Sequence, residues 1–96
     1  MDDKLVIVYT MKGCPHCSDM KDMLNGAKIK FSERDIHRYE KEYDLFVEAT
    51  GNEYIPSFML MTFENPKKPT DVTLLAPDKD FDDLTEALEK VRQYLD

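Results

Sequence analysis

Apolar residues along this chain follow two rhythms, one unbroken or alternating, the other recurring every three to four residues. Leu5 to Tyr9 (LVIVY) is a short, β-branched run, the pattern of a strand buried on both faces. From Pro15 the rhythm lengthens. Cys17, Met20, Met23 or Leu24, and Ala27 recur at helical steps, with Gly26 after Asn25 as the expected stop. Ile29 to Asp35 (IKFSERD) reads as extended at its start, with Ile29 and Phe31 on one face. Tyr39 to Thr50 reads as a second helix with an apolar stripe of Tyr39, Tyr43, Phe46 and Val47, ended by Gly51. After Pro56 comes an apolar strand from Phe58 to Phe63. ENPKKPTD has two prolines and no apolar residue, so it reads as a turn. Val72 to Leu75 then forms a fourth strand, in an antiparallel hairpin with the third. A last helix is expected from Phe81, with Leu84, Leu88, Val91 and Leu95 on one face. Asp80 is its expected cap, and Asp82 and Asp83 suit its positive end.

The predicted order is β-α-β-α-β-β-α, an α/β fold whose first two strands are parallel and joined by a right-handed helical crossover. With 96 residues, the chain reads as a single domain over residues 1–96, without repeats or a linker.

Charge narrows the partners. A formal net charge of −7 argues against nucleic acid and anionic membrane, both of which need clustered Lys and Arg. No charged-then-apolar leader and no apolar run of about 18 residues is present, so the expectation is a soluble, cytoplasmic monomer.

The chemistry lies in YTMKGCPHCSDM, which carries both cysteines of the chain, Cys14 and Cys17. Cys14 falls where the first strand gives way to the first helix. Pro15 suits the first helical position, because its missing N–H would be unpaired there anyway. That makes Cys14 the N-cap, where a thiolate can accept from the free amides of the first turn, including those of His16 and Cys17. The helix dipole acts in the same direction. Cys17, three residues on, lies at the separation of about 5–6 Å between Cα atoms that a disulfide requires. This assigns Cys14 as nucleophile and Cys17 as the more buried resolving thiol, with Pro15 and an outward-pointing His16 tuning the pair. Three other readings stand beside it: half of a zinc site completed by His16 or His37, an iron–sulfur cluster shared between two chains, and two inert structural thiols. His37 reads as a surface residue of the loop before the second helix.

EYIPSF, Glu53 to Phe58, is the second landmark. A proline leading into a buried strand cannot donate to the ladder. In this topology the third strand starts beside the end of the first, next to Cys14. A cis Ile55–Pro56 bond would leave the Ile55 N–H and C=O free to pair with an extended substrate.

VYTMKGCPHC, FSERDI, TGNEYIPSF and FDDL together resemble the glutaredoxin family of the thioredoxin-fold superfamily, and the resemblance covers nearly the whole chain. It implies a four-stranded mixed sheet of order 2-1-3-4 flanked by three helices, with Cys14 as nucleophile, Cys17 as resolving thiol and Pro56 in cis. It implies no bound cofactor and glutathione as reducing cosubstrate, held by Lys12, Tyr54, Ile55, Pro56, Phe81 and Asp82. Partners would be disulfide-containing proteins, ribonucleotide reductase among the candidates. The alternatives are a redoxin recharged by thioredoxin reductase or dedicated to one partner, and, from another class, an iron–sulfur or metal carrier. The chain departs from the family in four places. Lys79 and Asp80 stand where a Gly-Gly pair is usual, Asp78, Asp80, Asp82 and Asp83 crowd that turn, Met11 replaces the usual lysine, and the ENPKKPTD loop is longer. The expectation is weak glutathione binding, relieved by Asp80→Gly.

Overall fold

In the computed structural model, which describes residues 3–65 and 68–96, the first β-branched run extends to β1, Asp3–Thr10. The chain continues through α1 (Pro15–Gly26), β2 (Ser32–Asp35), α2 (Glu40–Thr50), β3 (Ser57–Asn65), β4 (Lys68–Leu75) and α3 (Leu84–Leu95). The four strands form one sheet in the order β2-β1-β3-β4. β1 and β2 run parallel, while β3 is antiparallel to both β1 and β4. Order, directions and helix count match the expected topology.

The sheet separates two apolar layers, and the two-residue period of β1 feeds both. Val6 and Val8 face α1 and α3, packing with Met20, Leu24, Phe58, Leu60, Ala87 and Val91. Ile7 and Tyr9 face α2, against Tyr43, Phe46 and Ala76. Residues Val6 to Thr10 are at most 2% exposed, which is why the run carries no alternation of polarity.

Boundaries moved where backbone geometry outweighed pattern. Gly26 is the last residue of α1, where the stop was expected. The helix closes at Ala27, and Lys28 adopts the left-handed conformation, its N–H bonded to the Asn25 carbonyl. Ile29 and Phe31 lie outside β2 and pack as half-buried side chains on the α1/α3 layer. Gly51 does end α2, at φ +70°, with its N–H on Val47. Tyr39 precedes α2 and is exposed rather than part of its buried stripe, its ring covered by the Arg34 guanidinium. β3 and β4 reach further into ENPKKPTD than the prolines suggested, to Asn65 and from Lys68. Pro69 is accommodated at a register shift, while Pro66 and Lys67 of the expected turn lie outside the described residues.

Candidate active site

Three turns meet at the end of the sheet where β1 stops. The first runs from Met11 to Cys14. Gly13 takes φ +82°, a conformation that side chains disfavour, and the Cys14 N–H closes the turn on the Met11 carbonyl at 3.2 Å. Cys14 is extended (φ −96°, ψ 106°) and caps α1, with Pro15 as the first helical residue. The Cys17 N–H donates to Cys14 Sγ at 3.1 Å. The two sulfurs are joined in a disulfide with a Cα separation of 5.3 Å. Cys14 is half-buried and Cys17 only 2% exposed, while His16 is exposed on the outer side of the turn.

The second turn is Gly51 to Pro56. The Ile55–Pro56 bond is cis, and Pro56 is buried. Antiparallel register sets Ser57 opposite Tyr9, which brings this bend to the disulfide end of β1. Among the described residues no hydrogen bond reaches the Ile55 N–H or C=O. Asn52 was not among the expected site residues; its side chain accepts from the Tyr54 N–H at 2.8 Å and donates to the Pro77 carbonyl at 2.6 Å. Asn52 thereby ties this turn to the next. Tyr43 Oη supports it from below by donating to the Glu53 carbonyl.

The third turn, Ala76 to Asp83, corrects two expectations. Asp83, not Asp80, caps α3, accepting from the Glu86 N–H at 2.8 Å, and the helix begins at Leu84 rather than Phe81. Glu86 reaches back to the Asp82 N–H at 2.9 Å. The Asp80 carboxylate turns inward and accepts from the N–H of fully buried Ala76 at 2.8 Å. It is a brace of the turn, not a free charge of the cleft. Phe81 is also a core residue, 4% exposed and edge-on to Phe58.

These turns shape two clefts flanking the helix start. One, of about 410 Å³, gathers His16, Tyr54, Ile55, Pro56, Phe81 and Asp82 from the expected set, together with Asp78 and Asp83. The other, of about 740 Å³, is lined by Cys14, Pro15 and Cys17 and includes Lys12. Lys12 therefore stands apart from the other residues expected to hold glutathione. Met11 and Tyr39 line the same cleft, as do Lys21, Glu33 and Arg38, which were not singled out in the sequence because they come from separate segments. Lys21 and Thr10 both donate to Glu33 Oε2 at 2.8 Å. Those bonds, Lys21's first, hold the Glu33 carboxyl below its ordinary range. Beneath, Tyr9 Oη donates to Glu42 at 2.6 Å, and Glu42 pairs with Arg34. Burial first, and then this bond, push the Tyr9 phenol upward. Among the described residues no group of three or more His, Cys, Asp or Glu side chains is placed to hold a metal ion. No helix among them is long and apolar enough to cross a membrane.

The family model for glutaredoxins matches residues 6–60, more than half of the 96, and the chain belongs to the glutaredoxin family. N-acetyl-S-hydroxy-L-cysteine reductase of Bacillus subtilis (strain 168) is 29% identical over 51 residues, which is 53% of this chain and 55% of that protein. The match thus spans about half the length of this curated relative. Among solved structures, the thioredoxin-like protein BC3987 superposes with a TM-score of 0.58 at 18% identity, over 93% of this chain and 97% of that one. The thioredoxin of Trichomonas vaginalis gives a TM-score of 0.56 at 14% identity, over 95% of this chain and 78% of its own. At such identities these two structures establish the thioredoxin-like fold alone.

Proposed function

We propose that this chain is a dithiol oxidoreductase that reduces disulfides in proteins and mixed disulfides of small thiols. The observation that carries this reading is the Cys14–Cys17 bridge at the start of α1, with Cys14 half-exposed and Cys17 buried. In the reduced protein the Cys14 thiolate attacks one sulfur of a substrate disulfide. A mixed disulfide forms on Cys14 and the other substrate thiolate leaves, taking up a proton. Cys17, deprotonated, then attacks Cys14 Sγ, re-forming the internal bridge and expelling the second substrate thiolate. Two electrons pass from the dithiol to the substrate. Recharging takes two equivalents of a low-molecular-weight thiol such as glutathione, or one dithiol from a reductase.

In this reading Pro15 and His16 set the shape and charge of the helix start, and Ile55 offers its unbonded backbone to an extended substrate. Tyr54, Pro56, Phe81 and Asp82 wall the substrate on the α3 side, and Lys12 faces it from the other cleft. The cytoplasm, where thiols are kept reduced, is the compartment in which such a pair turns over.

The similarity to N-acetyl-S-hydroxy-L-cysteine reductase favours a second substrate for the same pair. Attack of Cys14 on an S-hydroxy sulfur would release water and leave the same mixed disulfide for Cys17 to resolve. The test is to follow two substrates, insulin and a glutathione mixed disulfide, with glutathione plus its reductase or a thioredoxin system as electron source. Turnover with either source supports the reading. Failure of the fully reduced protein to reduce either substrate stoichiometrically, in the absence of any recharging system, overturns it.

A further inference from the structure

Cys17 has to ionise before it can attack Cys14 Sγ, yet it is only 2% exposed, and burial disfavours a thiolate. The amide aimed at a sulfur from the helix start serves Cys14 instead. Charges on the side of the sheet that Cys17 faces therefore decide how readily it reacts.

Strand register puts one there. Val8 belongs to the layer under α1 and α3, and Glu33 is its parallel partner on β2, so both project to the α1 side. Thr10, two residues after Val8, shares that face and donates to Glu33 Oε2 at 2.8 Å. Arg34 alternates to the α2 side, where it pairs with Glu42. The opposite charge comes from α1. Lys21 is one helical turn after Cys17, and a helical side chain leans back over the turn before it. Its ammonium meets Glu33 Oε2 at 2.8 Å.

Cys17, Lys21, Thr10 and Glu33 all line the 740 Å³ cleft. The other charged groups of that cleft are Lys12, Asp35 and Arg38, and Asp35 accepts from the His37 N–H. Among the described residues Lys21–Glu33 is the one ion pair there. His16, Asp78, Asp82 and Asp83 line the separate cleft on the α3 side of the bridge.

We infer that Lys21 and Glu33 are positioning charges for the resolving thiol. The ammonium favours the Cys17 thiolate, the carboxylate opposes it, and the bond between them fixes the balance. The consequence, the timing of the second attack, rests on the oxidoreductase reading. Cys17 gives its proton to solvent in the cleft, attacks Cys14 Sγ and expels the substrate thiolate, which takes up a proton in turn.

The two charges make opposite predictions. Cys14→Ser isolates Cys17, whose ionisation is followed by thiolate absorbance near 240 nm. In that background Lys21→Met should raise the Cys17 pKa by about half a unit to one unit, because Glu33 is left facing the sulfur alone. Glu33→Gln should lower it by a similar amount, because Gln keeps an oxygen for Lys21 and Thr10 but loses the charge. Both side chains are partly exposed, so both shifts should shrink in 1 M salt. Lys21→Arg keeps the charge and should titrate like its parent. With Cys14 restored, the Cys14 mixed disulfide should be resolved about three- to tenfold more slowly in Lys21→Met at pH 6.5, and no more slowly in Glu33→Gln. Shifts of the same sign in both variants, the absence of either shift, or a shift in Lys21→Arg equal to that in Lys21→Met would overturn the charge assignment and leave the oxidoreductase reading standing. Opposite shifts in a protein whose reduced form reduces no disulfide would uphold the charge pair and overturn the oxidoreductase reading instead.

Discussion

The Cys17 amide points at Cys14 Sγ across one helical turn, 3.1 Å away. A donor fixed in that position favours the anion over the thiol once the bridge is reduced, and the helix dipole adds to it. Cys14 in the reduced protein should therefore be alkylated by iodoacetamide at pH 6 at least about tenfold faster than free cysteine. Mass mapping should place the first adduct on Cys14. Reactivity equal to that of free cysteine would contradict the assignment.

Burial divides the two sulfurs further. Cys17 is only 2% exposed and is bonded to Cys14, so it reaches Cys14 but not a bulky substrate. Cys17→Ser should then accumulate a stable Cys14 mixed disulfide with a protein substrate and lose net reduction of protein disulfides. Turnover of glutathione mixed disulfides, which a second glutathione can resolve, should persist. Non-reducing gels and intact mass would show the trapped species. A variant that still completes protein disulfide reduction would remove Cys17 from the mechanism.

Much of this architecture was legible because burial and period agree. β1 is apolar throughout since both of its faces are covered, and α3 repeats Leu84, Leu88 and Val91 against one sheet face. The cap and pair of thiols followed from Pro15 and the three-residue spacing. The turn from Ala76 to Asp83 was not legible in the same way. Four aspartates in six residues fix its charge, but which amide each carboxylate meets depends on a bridge between Pro77 and Phe81 that no local pattern encodes. Asp83 consequently took the capping role expected of Asp80, while Asp80 braces the turn. Tyr39 was misplaced for a related reason, since the planar Arg34 group competes with the core for its ring.

Asp80 now makes a different prediction from the one its charge suggested. Removing its carboxylate leaves the buried Ala76 N–H without its acceptor, a loss of about 1–3 kcal/mol. Asp80→Ala should lower the urea midpoint accordingly, whereas Asp80→Asn keeps an acceptor oxygen and should stay near wild type. Asp80→Gly should destabilise the protein without improving its use of glutathione. Improved glutathione turnover at unchanged stability would restore Asp80 as a charge in the cleft.

Tyr9 is buried beneath the site and donates to Glu42. Its phenol is raised by burial first and then by that carboxylate. A phenol whose folded pKa exceeds its unfolded value of about 10 stabilises the fold fully below that pH and progressively less above it. Titration at 295 nm should show the Tyr9 signal arriving together with alkaline unfolding. Tyr9→Phe should cost about 1 kcal/mol near neutrality and remove that late signal. Early ionisation of Tyr9 in the folded protein would show that the bond to Glu42 opens freely.

The contacts of Glu33 have the opposite sign. Lys21 and then Thr10 hold its carboxyl below the ordinary range. A carboxyl with a depressed folded pKa stabilises the protein above its unfolded value of about 4.3, and that contribution disappears as pH falls through the folded pKa. The Glu33 side chain is 42% exposed, so solvent screening keeps the contribution within the surface range of about 0.2–1 kcal/mol. Glu33→Gln should therefore be slightly less stable than wild type at pH 7, and the two urea curves should converge near pH 3. Lys21→Met should move the Glu33 carboxyl, followed by NMR, back towards its ordinary value. It should also remove the cation paired with Glu33 at the cleft lined by Cys14 and Cys17. A stability difference that persists unchanged at pH 3 would mean that Glu33 acts through packing rather than through its charge.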